Sequence, residues 1–367
     1  MKIAMLGHKH LPSRAGGVEV VVDRLSRELV KRGHSVVCFN RSGFGPKENN
    51  HGGVELVTVP AWGKGGLGAV TASFFAALLA TFRDVQTVHF HGEGPAFFSV
   101  LPRLAGKRVV VTIHGLDWKR EKWQGSFGPR FLQWGERAAV RNAHCMIVLS
   151  RQAQTYFRER YSRETVYIPN GVGPLKKEKA DKILALGLKE GEYGLFLGRL
   201  VPEKGVHTLI RAWKKAGTGK KLVIAGPSSD TEAYVKECRQ LASDDPDILF
   251  PGFVEGTLLA ELYSNAWVYV LPSSLEGMPL GLLEAMGYGC CCITSDIPEC
   301  TEVLSGAGLT VPPGDEEALT QLLRELAREP QRLTAFRAAA QMRSGGYSWE
   351  TMTERTLECY RENSAGK

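Results

Sequence analysis

The chain has 367 residues, of which 43% are hydrophobic and 23% charged, and its formal net charge is +7. This length predicts one large or two medium domains, and the composition is that of an ordinary globular protein. The sequence carries no recognised nucleic-acid-binding motif, so nucleic acid is not an expected partner. The eight cysteines include no C-x-x-C pair, which argues against zinc and for buried free thiols in a reducing compartment.

Positive charge is concentrated between residues 103 and 163, which hold 13 Lys and Arg but four Asp and Glu. The difference, 13 − 4 = +9, leaves −2 for the rest of the chain. A basic face of this kind fits an anionic lipid surface or a diphosphate, and its alternative interpretation is a solvated face. The N-terminus does not have the pattern of a secretory signal peptide. We therefore expect a cytoplasmic protein, with the inner face of the plasma membrane as a candidate docking surface.

The first half of the chain alternates strand-like apolar runs with segments of helical periodicity, which predicts a parallel α/β sheet with right-handed crossovers. The predicted strands span residues 2–6, 35–39, 54–59, 87–90, 108–113 and 145–149, and the predicted helices span 18–31, 67–82, 96–104, 131–141 and 152–160. The uncharged stretch 65–82 is at the short end for a membrane span. We interpret it as a buried helix between strands, with membrane-surface contact as the alternative.

Two glycine-rich segments are candidates for contact with phosphate groups. Gly16-Gly17 lies between the first strand and the first helix, where backbone N–H groups can approach a ligand closely. Gly63-Lys-Gly65-Gly-Leu-Gly68 has the G-x-G-x-x-G spacing of dinucleotide-binding proteins. However, it follows the third strand, and the next strand does not end in the expected acid. A nicotinamide-dependent oxidoreductase is therefore a weak alternative.

Three histidines, His89, His91 and His114, lie at the ends of predicted strands. We expect the side chains of His89 and His91 to alternate between the two sides of their strand. Because no third ligand is evident, the sequence predicts no metal site.

A second α/β series follows the polar stretch 173–192, and the Asn170-Gly171 turn marks the boundary between two domains. The predicted strands of this second series span residues 194–198, 221–225, 248–250, 266–271 and 290–295. Its predicted helices span 231–242, 258–265, 316–328 and 349–361. We expect a first domain at 1–172, completed by a C-terminal helix within 346–367, and a second domain at 173–345.

Charged residues follow two strands of this second series. Arg199 and Lys204 come after strand 194–198 and form a candidate binding site for a diphosphate. Arg199 offers a planar guanidinium group that can donate two hydrogen bonds, and Lys204 offers a compact ammonium charge. Glu276 lies in the loop after strand 266–271, and Glu284 lies about one turn into the helix that follows Pro279. Ligands of open α/β sheets bind at the carboxyl ends of strands, and free N–H groups at a helix start suit phosphate. The alternative is that Glu284 only complements the helix dipole and that the two cations are solvated.

The string Glu276-Gly-Met-Pro279-Leu-Gly-Leu-Leu-Glu284, with the Arg199-x-x-x-x-Lys204 pair, resembles the signature of family-4 glycosyltransferases, which are retaining enzymes. The resemblance covers nearly the whole chain and implies the GT-B fold, with two Rossmann-like doubly wound domains facing across a deep cleft. It implies transfer of a hexose from a nucleoside-diphosphate sugar to a saccharide or polyprenyl-diphosphate-linked acceptor in bacterial polysaccharide assembly. It also implies that neither a metal nor a cofactor is needed.

The same resemblance assigns roles to individual residues. Glu276 and His114 would hold the donor sugar, Glu284 the ribose, and Arg199 and Lys204 the diphosphate. The donor site would be completed by Gly16, Gly17, Phe253 and the backbone of Gly277, Met278, Pro279 and Leu280. The acceptor would lie near residues 117–123, with Glu19, His91, Asp117, Trp118 and Arg120 as candidate contacts.

Two alternatives share the same nucleotide-sugar site. One is a non-catalytic nucleotide-sugar-binding component of an assembly complex, which the intact set of charged residues argues against. The other is a GT-B sugar-nucleotide epimerase, which would release free sugar without an acceptor.

Overall fold

A computed structural model of the chain describes residues 1–45, 48–63, 65–120, 127–229 and 231–361. The chain divides into two compact units. The first unit comprises Met1–Gly171 and the C-terminal segment that begins at Trp349, and the second comprises Val172–Ser348. Each unit is built on its own β-sheet.

The sheet of the first unit consists mainly of short apolar strands, which suit a sheet covered on both faces. Its strands are β1 (Lys2–Leu6), β2 (Ser35–Arg41), β3 (Asn50–His51), β4 (Val54–Val59), β5 (Thr87–His91), β6 (Arg108–Ile113), β7 (Cys145–Val148) and β8 (Val166–Tyr167). Within the described residues they lie in the order β3-β4-β2-β1-β5-β6-β7-β8. The β3–β4 pair is antiparallel, and the other pairs are parallel.

Helices cover this sheet, as the alternating sequence pattern predicts. They are α1 (Gly17–Lys31), α2 (Gly65–Phe82), α3 (Glu93–Ala96), α4 (Val100–Leu104), α5 (Gly128–Asn142) and α6 (Arg151–Tyr161), with 3-10 turns at Phe97–Ser99 and Asp117–Lys119. The strand order reverses between β1 and β5. The loops after these two strands therefore flank the position where such sheets bind ligands.

The prediction that α2 is a buried helix is wrong, because only 33% of this 18-residue helix is buried. Its sheet-facing side consists of small residues, namely Gly68, Ala72, Ala76, Ala77 and Ala80. Its other side carries Leu67, Phe74, Leu79 and Phe82, which are exposed. Apolar residues surround the whole helix, so periodicity could not separate its two sides. Among the described helices, α2 alone meets the length and hydropathy expected of a membrane span.

The second unit contains a sheet whose strands are all parallel. The strands are β9 (Tyr193–Leu197), β10 (Lys221–Ala225), β11 (Ile248–Gly252), β12 (Val268–Leu271), β13 (Cys292–Ser295) and β14 (Leu309–Val311). Within the described residues their order is β11-β10-β9-β12-β13-β14, which is the 3-2-1-4-5-6 order of a Rossmann sheet. The order reverses between β9 and β12, so the carboxyl ends of these two strands are the expected ligand-binding position.

The helices of the second unit are α7 (Val206–Ala216), α8 (Glu232–Leu241), α9 (Gly256–Ser264), α10 (Leu280–Gly287), α11 (Pro298–Leu304), α12 (Glu316–Arg328) and α13 (Gln331–Ser344). Two further 3-10 turns span Lys182–Leu186 and Pro202–Lys204. The sequence around Pro298 predicts a turn at residues 297–299. That prediction is wrong, because α11 begins at Pro298, which suits a first helical position. Strands β3 and β14 and helix α13 were not predicted from the sequence.

The last helix, α14 (Trp349–Arg361), packs on the first unit. Arg108 Nε donates to Cys359 O at 2.8 Å, and Tyr360 Oη lies 2.7 Å from His89 Nδ1. The eight cysteines are all free and buried, which confirms their predicted role as apolar core residues.

Candidate active site

The two charged motifs of the second unit follow the adjacent strands β9 and β12. The loop after β9 turns sharply at Gly205, whose φ is +67°. A Cβ at this position would lie 2.2 Å from Pro272 O, so only glycine lets the turn pack against the end of β12. Ser274 N donates to Glu203 O at 2.9 Å across the same contact. The two loops are therefore held together by backbone packing.

This packing brings Lys204 and Glu276 into an ion pair between Lys204 Nζ and Glu276 Oε1. The Lys204 side chain is 15% exposed and the Glu276 side chain 7% exposed. Ser273 Oγ donates to the same Oε1 atom at 2.7 Å. The predicted phosphate-binding cation and the predicted sugar-binding carboxylate therefore lie side by side and largely out of water.

The second predicted carboxylate, Glu284, lies on α10. Tyr263 Oη donates to Glu284 Oε2 at 3.3 Å and to Gly281 O at 3.3 Å. Burial raises the pKa of Tyr269 well above its ordinary value, and the nearby charges of Glu276 and Glu284 raise it further. Both carboxylates are therefore near the phenol of Tyr269, which anchors the end of β12 by donating to Leu197 O at 3.3 Å.

The other donor-site candidates of the second unit follow strands β9, β11 and β12. The stretch from Gly277 to Leu280 connects Glu276 to α10, and Pro279 is the residue immediately before the first helical one. Because the first N–H groups of a helix have no partner within the helix, the backbone here can bind an anion. Arg199 lies two residues beyond β9 and is half-buried, and Phe253 follows β11 with an exposed ring. Their contacts with a donor stay predictions.

In the first unit, the predicted glycine turn is organised by Glu19. Gly16 precedes α1, and a Cβ there would lie 2.2 Å from Glu19 Oε2. Glu19 is buried, and its Oε1 accepts a hydrogen bond from Lys9 N at 2.9 Å. Gly16 therefore makes room for a carboxylate that fixes the loop leading to Gly17. The role of Glu19 in acceptor binding stays a prediction.

The expectation that His89 and His91 point to opposite sides of β5 is wrong. Their ring centroids lie 4.1 Å apart, because residues i and i+2 of a strand share a face. His91 Nδ1 is 3.0 Å from Nε2 of His114, which follows the adjacent strand β6. Burial lowers the pKa of His89 to about 3 and that of His114 to about 4. The described residues contain no cluster of three side chains arranged to hold a metal ion.

The predicted acceptor segment is anchored by a buried carboxylate. In the 3-10 turn after β6, Arg120 Nε lies 2.7 Å from Asp117 Oδ1, and Trp118 Nε1 donates to Glu136 Oε2 at 3.1 Å. Glu136, fully buried on α5, also accepts from the hydroxyl groups of two tyrosines, Tyr156 and Tyr161. Residues 121–123, which complete the predicted acceptor stretch, lie outside the described residues.

Two buried carboxyl groups beside this segment, those of Glu93 and Glu136, were not among the predicted site residues. Burial raises the pKa of Glu93 well above its ordinary value, and the negative charges of Asp117 and Glu136 raise it further. One sequence signal could have revealed Glu136. It shares the helical stripe of Leu132 and Ala139, so periodicity assigns it to the buried side of α5.

Two family models match the chain. The model described as "Glycosyltransferase Family 4" matches residues 15–174, and the model described as "Glycosyl transferases group 1" matches residues 178–343. This chain belongs to the family-4 glycosyltransferases. The two matches correspond to the two units of this glycosyltransferase, and together they span most of its length.

Relatives of this glycosyltransferase with similar sequences include the glycogen synthase of Mycobacterium tuberculosis. It is 27% identical over 98% of this chain and 94% of the relative. The O-antigen chain mannosyltransferase B of Escherichia coli is 27% identical over 46% of this chain and 45% of the relative. Among solved structures, Anabaena HepE in complex with UDP-glucose has a TM-score of 0.82 and 20% identity, over 98% of each chain. The glycosyltransferase has the GT-B fold that its sequence predicts.

Proposed function

We propose that this glycosyltransferase transfers a hexose, with retention of configuration, from a nucleoside-diphosphate sugar to a saccharide or lipid-linked acceptor. The proposed setting is cytoplasmic synthesis of a cell-surface polysaccharide. The proposal rests on the Lys204–Glu276 pair, which lies at the strand ends where a Rossmann sheet binds nucleotides. It is supported by a relative named as an O-antigen chain mannosyltransferase and by a structural neighbour that holds UDP-glucose.

The proposed donor site assigns a different part of the nucleotide sugar to each charged group. Lys204 and Arg199 bind the diphosphate, as a point charge and a planar fork. Glu276 accepts hydrogen bonds from sugar hydroxyl groups, and Glu284 accepts them from the ribose. The N-terminal N–H groups of α10 add donors for a phosphate oxygen. Phe253, with its exposed ring after β11, contacts the base.

In the proposed reaction, the bond between the sugar C1 and the β-phosphate oxygen breaks as the acceptor hydroxyl oxygen bonds to C1 on the same face. The hydroxyl proton passes to the departing diphosphate. Negative charge accumulates on that diphosphate in an oxocarbenium-like transition state. Lys204 and Arg199 stabilise this charge electrostatically, so the proposal requires no metal and no protein nucleophile.

His114 and the proposed acceptor contacts belong to the first unit. His114 and His91 are both held in their neutral forms by burial, which lowers the pKa of each. A neutral His114 can donate to or accept from a sugar hydroxyl group without carrying a positive charge. Asp117, Trp118 and Arg120 are the proposed acceptor contacts, together with Glu19.

The test is a transfer assay in which candidate nucleotide sugars are combined with saccharide and polyprenyl-diphosphate acceptors, and products are identified by mass spectrometry and NMR. We expect a glycosylated acceptor that keeps the anomeric configuration of the donor. The variant Glu276→Ala should lose transfer, whereas the matched control Glu317→Ala, an exposed residue on α12, should retain it.

Each alternative gives a different outcome in this assay. Free epimerised sugar without an acceptor product would identify an epimerase. Nucleotide-sugar binding without turnover for any acceptor would indicate a non-catalytic component. Full activity of Glu276→Ala would contradict the assignment of that residue.

A further inference from the structure

An apolar hollow of about 540 Å³ opens on the helical surface of the first unit. Its walls come from α2, the 3-10 turn at Phe97–Ser99, α4 and α5, and they are lined by Phe74, Phe97, Phe98, Val100, Leu101 and Trp134. Three of these rings are in contact, with the centroid of Phe98 5.6 Å from that of Phe74 and 5.2 Å from that of Phe97. This aromatic lining is part of the exterior of the unit.

The same helices expose further large apolar side chains beyond the hollow. Phe82 at the end of α2 is 83% exposed, Leu104 at the end of α4 is 82% exposed, and Trp134 on α5 is 44% exposed. A surface helix normally turns its apolar side to the core and its polar side to water, which α2 does not do. Large exposed apolar patches mark interaction sites.

Positive charge borders the hollow. Arg137 and Arg141 line it from α5, and both side chains are exposed. Within the described part of the chain, neither makes an ion pair or a hydrogen bond. Like charges four residues apart on a helix repel each other, so this arrangement does not stabilise the fold. The acids within helices α2 to α5 are Glu93 and Glu136, and both are fully buried. The exposed charge on these helices is therefore positive.

We propose that this surface docks the protein on an anionic lipid bilayer. We define the aromatic–arginine face as the hollow with Phe82, Leu104, Trp134, Arg137 and Arg141. Phe82, Leu104 and Trp134 enter the boundary of the acyl layer, and the two arginines bind lipid phosphates. The inference concerns the first unit alone and does not rest on the proposed transfer reaction.

A bilayer fits this face better than a protein partner does. An anionic leaflet presents phosphates directly above apolar chains, which matches guanidinium groups bordering aromatic and aliphatic side chains. The exposed side chains that define the face are apolar or cationic. The one amide that lines the hollow, that of Asn142, is half-buried and donates to Ser99 Oγ at 3.1 Å. The exposed indole of Trp134 suits the boundary between headgroups and acyl chains.

The experiment is co-sedimentation of the full chain with vesicles of phosphatidylglycerol and phosphatidylethanolamine, and with neutral phosphatidylcholine vesicles, at low and high salt. We expect binding to the anionic vesicles and at least tenfold weaker binding to the neutral ones. Binding through the arginines should weaken as salt screens their charge. Absence of binding to anionic vesicles at low salt would overturn the proposal.

Three double variants identify the surface that binds. Arg137→Gln/Arg141→Gln should weaken binding to anionic vesicles at least tenfold. The matched control Lys236→Gln/Arg328→Gln removes the same charge from exposed positions of the second unit and should bind like the wild type. Equal binding by these two variants would contradict the assignment. Phe82→Ser/Leu104→Ser should weaken binding at both salt concentrations, because it removes apolar side chains without changing charge.

Light scattering without lipid tests whether a second copy of the chain, instead of a bilayer, covers this face. A concentration-dependent dimer that is lost in Phe82→Ser/Leu104→Ser, combined with no vesicle binding, would make the face a contact between two copies and overturn the lipid proposal. A monomer that binds vesicles through these residues supports it. Thermal unfolding of each variant serves as the folding control, and these exposed substitutions should unfold near the wild-type temperature.

Discussion

Replacing Glu276 by glutamine should have opposite effects on nucleotide binding and on catalysis. The Lys204 ammonium is paired with the Glu276 carboxylate, and both side chains are mostly buried. A donor diphosphate must compete with that carboxylate for the same ammonium group. Glutamine keeps the size of the side chain and can still accept from Ser273, but it removes the competing negative charge.

The expected magnitudes follow from the partial burial of the pair. A hydrogen bond to a charged group contributes about 1.5–3 kcal/mol, so Glu276→Gln should lower the unfolding free energy of the free protein by roughly 1–2 kcal/mol. With Lys204 released, the affinity for the nucleoside diphosphate should rise. A gain of about 1 kcal/mol corresponds to roughly fivefold in Kd. Transfer should fall by roughly 10²-fold, because the sugar loses a positioning contact.

The assay is isothermal titration of the nucleoside diphosphate into the wild type, Glu276→Gln, Lys204→Met and the double variant. Lys204→Met should bind at least tenfold more weakly, since it removes the phosphate contact itself. The double variant should resemble Lys204→Met. Without the Lys204 ammonium, removing the Glu276 carboxylate releases no cation for the diphosphate. The reasoning is refuted if Glu276→Gln binds the diphosphate more weakly than the wild type does.

Three further predictions concern the framework around the site. His89 is neutral when folded, with a pKa of about 3 against 6.5 when unfolded, so the stability that it contributes is complete above pH 6.5 and declines as pH falls. When the pH falls from 8 to 5, the free energy of unfolding measured in urea should decrease by roughly 2 kcal/mol more for the wild type than for His89→Gln. Parallel pH profiles of the two proteins would contradict this. Glu136→Gln should lower the free energy of unfolding by about 1–3 kcal/mol and shift the fluorescence of Trp118. The reason is that the amide nitrogen cannot accept hydrogen bonds from the indole and the tyrosines. Unchanged emission and stability would count against that network. Gly281→Ala introduces a Cβ 2.8 Å from the buried Tyr269 hydroxyl. It should therefore lower the free energy of unfolding by about 1–3 kcal/mol and weaken nucleotide binding. A decrease below about 0.5 kcal/mol would show that the contact relaxes freely.

In the second unit, the elements that carry the charged motifs were predictable, whereas β14, α11 and α13 were not. The apolar run before Pro272 and the helix after Pro279 gave the correct order of elements, because both signals are local. The pairing of Lys204 with Glu276 could not be derived from the sequence alone. It depends on Gly205, which fits against Pro272 only after β9 and β12 have become neighbours.

The first unit shows where local pattern reasoning failed. The apolar composition of α2 suggested burial, but the sheet covers one side of it and leaves Phe82 in solvent. The buried position of Glu93 depends on tertiary contacts with α5, where a Cβ on Gly135 would lie 2.0 Å from Glu93 O. Local periodicity cannot report such a contact between distant segments. By contrast, the shared face of His89 and His91 follows from strand geometry, and the expectation misapplied it.

The central claim is that the second unit binds a nucleoside diphosphate through Lys204. It is tested most directly by thermal unfolding of the wild type and Lys204→Met with UDP, dTDP, GDP, ADP and NAD. At 100 times its Kd, a ligand adds about 2.7 kcal/mol of stability. The account predicts that a nucleoside diphosphate raises the unfolding temperature of the wild type, that Lys204→Met loses most of this shift, and that NAD has no effect. Stabilisation by NAD alone, or an equal shift in Lys204→Met, would contradict it.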